Sequence, residues 1–206
     1  MRQSGTNAGA PVLTQKFVEA LRYAAELHQF QRRKGKGQPY VGHLLGVAAI
    51  VIQHGGGEDQ VIAALLHDAV EDQGGLPRLD EIRKKFGKEV ARIVDGCTDS
   101  YEARGEKREW AERKRAYIER VAKEAADVRL VSAADKLANA REILSDYRME
   151  GDEVFKRFQG RKDGTLRYYR QLVDVFRAAG TSPLVEELER VVSELEKLAG
   201  VPAIAE

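Results

Sequence analysis

Four ionisable side chains follow directly on an apolar run. After Ala63-Ala64-Leu65-Leu66 come His67 and Asp68, then Glu71 and Asp72. At about 100° per helical residue, Glu71 falls ~40° from His67, Asp68 ~100° and Asp72 ~140°. The four therefore share one arc of a helix that is otherwise apolar. Asp68 and Asp72 are like charges at i,i+4, and Asp68 and Glu71 at i,i+3. Each such pair costs a few tenths of a kcal/mol unless something positive sits among them. An exposed helix end with solvated acids would also account for the cluster. The adjoining histidine favours a different chemistry, because imidazole with carboxylate is a ligand set for a catalytic divalent cation.

A second carboxylate is also out of place. In the segment 128–143, Val128, Val131, Asp135, Ala138 and Glu142 advance by three or four residues. Asp135 thus lies on the stripe that should be buried, with Asn139 one turn further on. A buried aspartate must be paired or bind a metal, so a structural salt bridge or a capping role is the competing account. His43 follows Tyr40 by three residues, a position open to an ordinary half-buried histidine. Arg32-Arg33-Lys34 is a natural anion binder, since guanidinium and ammonium groups suit phosphate; a solvated surface loop would read the same way.

The elements that must hold these groups are helical. Phe17, Ala20, Leu21, Ala24 and Leu27 recur at helical spacing from Thr14 onward, and a basic, glycine-interrupted loop follows over 31–38. Pro39 opens a second helix that stops at Gly55-Gly56-Gly57, and a third runs from Asp59 to Asp72 and ends at Gly74-Gly75. A short helix from Leu79 to Phe86 precedes Gly87, and another carries Val90, Ile93, Val94 and Cys97. The charged segment 102–115 is expected to be mostly a solvated face or flap. Long helices are expected from Ala111 to Glu124 and from Ala126 to Tyr147. A break at Gly160 and Gly164 precedes a helix from Leu166 to Ala179, and Pro183 begins the last one. No strand-like alternation or internal repeat interrupts the pattern. The expectation is an all-α protein of eight to ten helices.

The 206 residues suit a single domain. Lys and Arg total 34 against 33 Asp and Glu, a net charge of +1 that lacks the footprint of a general nucleic-acid binder. Cys97 is the single cysteine, which excludes an intramolecular disulfide and a cysteine-rich zinc module. No stretch approaches the ~20 apolar residues of a membrane span, and the first eleven residues lack a signal-peptide pattern. A cytoplasmic protein without a membrane partner is the expectation.

The motifs together resemble a known family. His43, His67-Asp68 and Asp135, in the order H…HD…D, resemble the HD superfamily of metal-dependent phosphohydrolases. Tyr40-Val-Gly-His43, the run from Ala63 to Asp72, Phe86-Gly-Lys-Glu-Val90 and Ala134-Asp-Lys-Leu-Ala-Asn139 are similar to the hydrolase domain of RelA/SpoT homologues, including stand-alone small alarmone hydrolases. The resemblance covers roughly residues 14–180. It implies a single HD-type multi-helix domain over 12–180; the small, polar residues 1–11 are expected to be flexible, and the apolar face of the C-terminal helix in 181–206 to pack on the same domain. The resemblance implies that His43, His67, Asp68 and Asp135 hold one divalent metal ion, usually Mn²⁺. Glu71 and Asp72 would position and activate the attacking water. Arg33 and Lys34 match a guanosine-contacting basic pair, Asn139 a residue near the nucleoside, and Tyr168 an aromatic lining the pocket.

The implied reaction is hydrolysis of (p)ppGpp, a small-molecule nucleotide, to GDP or GTP and pyrophosphate. Leu44 and Ala138 depart from the family pattern, which has Pro and often His at those places, and the loop from Lys34 to Tyr40 is short. No expected ligand is missing. Two other readings stay open: an HD phosphohydrolase of another nucleotide, such as NADPH or a nucleoside monophosphate, and a non-catalytic nucleotide-binding HD domain.

Overall fold

The computed structural model describes residues 12–101 and 108–200. Among them there is no strand, only an isolated bridge between Arg32 and Pro39 that closes the basic loop. The elements are α1 (Gln15–Leu27), α2 (Val41–Gln53), α3 (Glu58–Leu66), α4 (Ala69–Gln73), α5 (Gly75–Phe86), α6 (Lys88–Cys97), α7 (Trp110–Val121), α8 (Ala126–Glu150), a 3₁₀ helix (Gly151–Arg157), α9 (Arg161–Ala178) and α10 (Pro183–Leu198). The chain is all-α, as the periodicity indicates. No helix among the described residues is long and apolar enough to cross a membrane.

The core is built around α3. Its residues Val61 to Leu66 are consecutive and fully buried, the signature of a helix with apolar side chains all round. It is packed by α1, α2, α6 and α8. Thr14 caps α1, and its backbone N–H and hydroxyl both donate to Glu58 at the start of α3, at 2.6 and 2.8 Å. Lys16 adds an ion pair to Asp59 at 2.7 Å. The long helix α8 crosses the same core, close enough to α6 that a Cβ on Gly96 would meet the Val128 side chain at 2.6 Å. Ser182 and Pro183 start α10, which lays Leu184, Leu188, Val192 and Leu195 against α8 and α9. Each such burial contributes about 1.5–3 kcal/mol.

Four sequence expectations change. The third helix does not run unbroken to Asp72: it ends at Leu66, and α4 begins at Ala69. Asp68 has φ −95° and ψ −2°, in the sparsely allowed bridge region. On a continuous helix His67 and Asp68 would diverge by ~100°; the break lets both side chains turn to one point. The fifth helix starts at Gly75 rather than Leu79, with Pro77 tolerated in its first turn.

The third change concerns Gly160 and Gly164, which do not break α9 at Leu166. The helix runs through Gly164, and both glycines serve close approach. Added Cβ atoms would meet the Trp110 ring at 2.5 and 3.3 Å respectively. Residues 102–107 of the charged segment lie outside the described residues. The remainder is not simply a solvated face, because Arg113 is buried.

Candidate functional site

His43 enters from the first turn of α2, His67 and Asp68 from the break after α3, and Asp135 from the middle of α8. His67 Nε2 lies 3.0 Å from Asp68 Oδ2 and 3.4 Å from Asp135 Oδ1. His43 Nε2 lies 3.2 Å from Asp135 Oδ1 and 3.6 Å from Asp68 Oδ2. Both Nε2 atoms are buried without a hydrogen-bond partner. His67 Nδ1 lies 2.8 Å from the Ala64 carbonyl oxygen. An oxygen acceptor there fixes one proton on Nδ1, so Nε2 is the nitrogen that faces the carboxylates and that a cation would bind once its proton is displaced.

Two bare imidazole nitrogens converging on two carboxylate oxygens are a fit for a divalent cation. Ligand atoms of His43, His67 and Asp135 all lie within 4.8 Å of one another. Burial opposes charge on His67, yet Asp68 and Asp135 outweigh it and hold its pKa well above the ordinary imidazole value. The same carboxylates that attract a proton there would attract a metal ion in its place.

The outer contacts orient these groups. Tyr40 Oη donates to Asp68 Oδ2 at 2.6 Å. Lys136 Nζ donates to Asp135 Oδ2 at 2.6 Å while lying 4.9 Å from the centre of the Tyr117 ring. Asn139 Nδ2 donates to Asp135 Oδ1 at 2.5 Å, and Asn139 Oδ1 accepts from Arg33 at 2.7 Å. Arg33 also pairs with Glu142 and lies over the Tyr40 ring, 5.5 Å from its centre. Arg33 is therefore not a free surface cation. It is tied through Asn139 to the carboxylate of the cluster.

A cavity of about 750 Å³ opens from this cluster, within the range of small-ligand sites. Glu71, Asp72, Arg33, Lys34, Asn139 and Tyr168 all line it. All ten residues singled out in the sequence thus meet at the cluster or its cavity. Lys34 is exposed at the rim. Tyr168 is deep: its hydroxyl is buried without a hydrogen-bond partner, and burial pushes its pKa up, so it stays a proton donor.

Several residues of the site escaped the sequence reading. Trp110 stands edge-on to Tyr168, with ring centres 6.1 Å apart. Asp99 holds two cations that line the cavity in a buried ion cluster, 2.8 Å from Arg113 and 2.5 Å from Lys114. Glu71 reaches the same cluster and contacts Asp99. Gln31 Nε2 donates to Asp72 Oδ2 at 2.6 Å. Lys136 could have been found as a charged residue beside Asp135 within a buried helix. Asp99 and Trp110 carried no such signal, lying in or beside a stretch where charge is abundant.

Residues 20–166 match the HD domain. Human guanosine-3′,5′-bis(diphosphate) 3′-pyrophosphohydrolase MESH1 is 40% identical over 130 residues, which is 62% of this chain and 69% of that protein. Among solved structures, a metazoan orthologue of SpoT that hydrolyses ppGpp and plays a role in starvation responses superposes with a TM-score of 0.73. It is 31% identical, with 94% of this chain and all of that one covered. A crystal structure from Listeria monocytogenes EGD-e superposes with a TM-score of 0.65 at 30% identity, over 75% of this chain and 99% of the other. With paired histidines and aspartates converging as a divalent-metal site, and with most of its length matched, the chain belongs to the HD-domain family.

Proposed function

We propose that the protein is a metal-dependent 3′-pyrophosphohydrolase of guanosine-3′,5′-bis(diphosphate), the activity carried by the name of its 40%-identical human relative. The observation that carries this reading is the juxtaposition of the paired buried Nε2 atoms with a cavity lined by both acids and cations. His43, His67, Asp68 and Asp135 hold one divalent cation. Two imidazoles with carboxylate oxygens suit Mn²⁺, which is the ion assigned here. When bound, the ion supplies Lewis acidity at a phosphoryl oxygen and acidifies water.

The chain's own residues do the rest. Glu71 and Asp72 line the cavity one turn beyond the ligands, placed to orient a water and take its proton. The water oxygen bonds to the 3′-linked phosphorus as the bond from that phosphorus to the ribose 3′ oxygen breaks. The 3′ oxygen takes a proton, and GDP and pyrophosphate leave; GTP leaves when the substrate is the pentaphosphate. Arg33, Lys34 and Asn139 hold the nucleoside end, and the unpartnered Tyr168 hydroxyl donates to the ligand. Catalysis is then mainly positioning and charge neutralisation. Residues 12–180 carry this activity, α10 is a buttress packed on α8, and the cytoplasm is the setting.

The direct test is release of pyrophosphate from ppGpp by metal-free protein before and after addition of Mn²⁺, beside NADPH and nucleoside monophosphates. Mn²⁺-dependent turnover of ppGpp is the expected result. Turnover of only another nucleotide would overturn the substrate, and turnover of none would overturn the enzyme.

A further inference from the structure

His28 is a buried titratable group that this mechanism does not use. It is 1% exposed, at the end of α1, with its ring stacked on Tyr40 at 5.4 Å and 19°. Its Nδ1 lies 2.7 Å from Gln31 Oε1. Its Nε2 is buried with no hydrogen-bond partner. An apolar ring would fill the same space without leaving a bare nitrogen, which costs free energy when desolvated. What an apolar ring cannot supply is a donor at Nδ1.

That donor fixes an amide. Gln31 Oε1 accepts from His28 Nδ1 and from Gln73 Nε2, the latter at 2.6 Å. With its oxygen held twice, the Gln31 amide can present only its nitrogen to the cavity side, and Nε2 donates to Asp72 Oδ2 at 2.6 Å. An ionised carboxylate accepts and never donates, so the chain of donors has one direction: His28 to Gln31 to Asp72. Burial lowers the His28 pKa and so favours the neutral ring, and the Gln31 oxygen at Nδ1, already an acceptor for Gln73, sets the His28 proton on that nitrogen.

We infer that His28 and Gln31 are positioning residues that hold the Asp72 carboxylate in its working orientation. The inference rests on the reading above, in which Asp72 orients the attacking water. A carboxylate without this bond turns freely about its side-chain torsions, and an orienting group held loosely loses rate rather than affinity. Hydrogen-bond partners that orient metal ligands typically contribute about 10–100-fold, and the same order is expected for partners that orient the Asp72 carboxylate.

The experiment separates the hydrogen bond from the packing. Gln31→Met keeps the bulk and removes the amide. His28→Phe keeps the ring against Tyr40 and removes the donor. His28→Asn loses the ring but returns an N–H near the place of Nδ1. Gln31→Met and His28→Phe should each lower kcat by about 10–100-fold with KM for ppGpp and Mn²⁺ content unchanged, while His28→Asn keeps most of kcat. The double variant His28→Phe/Gln31→Met should be no slower than Gln31→Met alone, because both remove one chain of bonds. A normal kcat in Gln31→Met, or loss in His28→Asn with retention in His28→Phe, would overturn the inference. An activity-free measurement stands beside these: imidazole ¹H–¹⁵N correlation on metal-free protein should show neutral His28 protonated at Nδ1, and an Nε2–H tautomer overturns the relay. Absence of ppGpp turnover in the wild type would instead overturn the assigned reaction, leaving the imidazole measurement to decide the relay by itself.

Discussion

The two ends of the cavity are built on opposite principles. At the metal end, His43, His67 and Asp135 stand on or beside the buried apolar faces of α2, α3 and α8, and apolar packing fixes where the ligand atoms stand. At the other end, lined by Arg33 and α7, cations are fixed by polar partners instead: Arg33 by Glu142 and the Asn139 amide, Arg113 and Lys114 by Asp99. The first end gathers Asp68 and Asp135 around two histidines, with Lys136 on one Asp135 oxygen, and the other oxygens face the imidazoles where a divalent cation would sit. The second balances its charges pairwise before any ligand arrives. Removing a carboxylate from the first should abolish metal binding and with it function. Removing a group from the second should split into effects on stability and on affinity.

The largest effect is expected at Asp135. Asp135→Asn keeps the shape but removes the charge shared by both histidines and by Lys136. Metal content should fall to background and turnover with it. The thermal midpoint should also fall, because the buried Lys136 ammonium loses its carboxylate. Full metal occupancy in this variant would break the assignment of the metal end.

Next comes the pair that lies beyond the ligands. Glu71→Gln/Asp72→Asn should keep Mn²⁺ and bind ppGpp, yet turn it over about 10²–10⁴-fold more slowly. Loss of metal would make these residues ligands, and near-normal turnover would show that the reaction needs no positioned base.

Asp99 sharpens the contrast from the other side. Its carboxylate is 4% exposed between Arg113 and Lys114, and a broken buried pair typically costs about 3–5 kcal/mol because a charge is left uncompensated. Asp99→Asn should therefore show its main effect in the thermal midpoint, with metal content unchanged. Burial opposes ionisation of Asp99, but Lys114 and Arg113 outweigh it and hold the carboxyl below its ordinary pKa. A depressed folded-state pKa stabilises the protein above the unfolded value, about 3.9, and that stability is lost as pH falls through the folded value. The wild type should thus lose stability in acid more steeply than Asp99→Asn; equal acid slopes would remove the ion cluster from the account.

This contrast also explains what the amino-acid sequence made legible. Helical periodicity exposed the fold, and His67, Asp68 and Asp135 stood out because a polar residue inside an apolar run has few structural uses. The convergence itself was not legible. His67 and Asp68 meet only because the helix breaks between Leu66 and Ala69, and a continuous helix was the natural reading of that run. The counter-charged end was harder still. Charged surface helices are common, so nothing in the spacing distinguished Asp99 from the acids around it, or Trp110 from an ordinary amphipathic residue. Its meaning depends on Gly160 and Gly164, which sit some fifty residues later and read as a helix break until the close approach is seen.

The smallest effect is expected at Arg33, where the structure changes what a substitution should do. A free cation in a basic loop would contribute to binding alone. Arg33 instead bonds Asn139, which bonds Asp135, so it touches both ends of the cavity. Its contact with Asp135 is two bonds removed, and Lys136 holds the other carboxylate oxygen independently. The ligand geometry should survive its loss. Arg33→Ala should therefore leave metal content unchanged and raise KM for ppGpp about tenfold, the equivalent of 1.4 kcal/mol of binding, with kcat within a small factor of the wild type. Arg33→Lys should not restore KM, because a single ammonium cannot serve Glu142 and Asn139 as the guanidinium fork does. A large fall in kcat at unchanged KM would mean that the Arg33–Asn139 link orients Asp135 after all, and that the two ends are one mechanical unit. An unchanged KM and kcat together would leave Arg33 a purely structural tie between Glu142 and Asn139 and place recognition of the nucleoside elsewhere in the cavity.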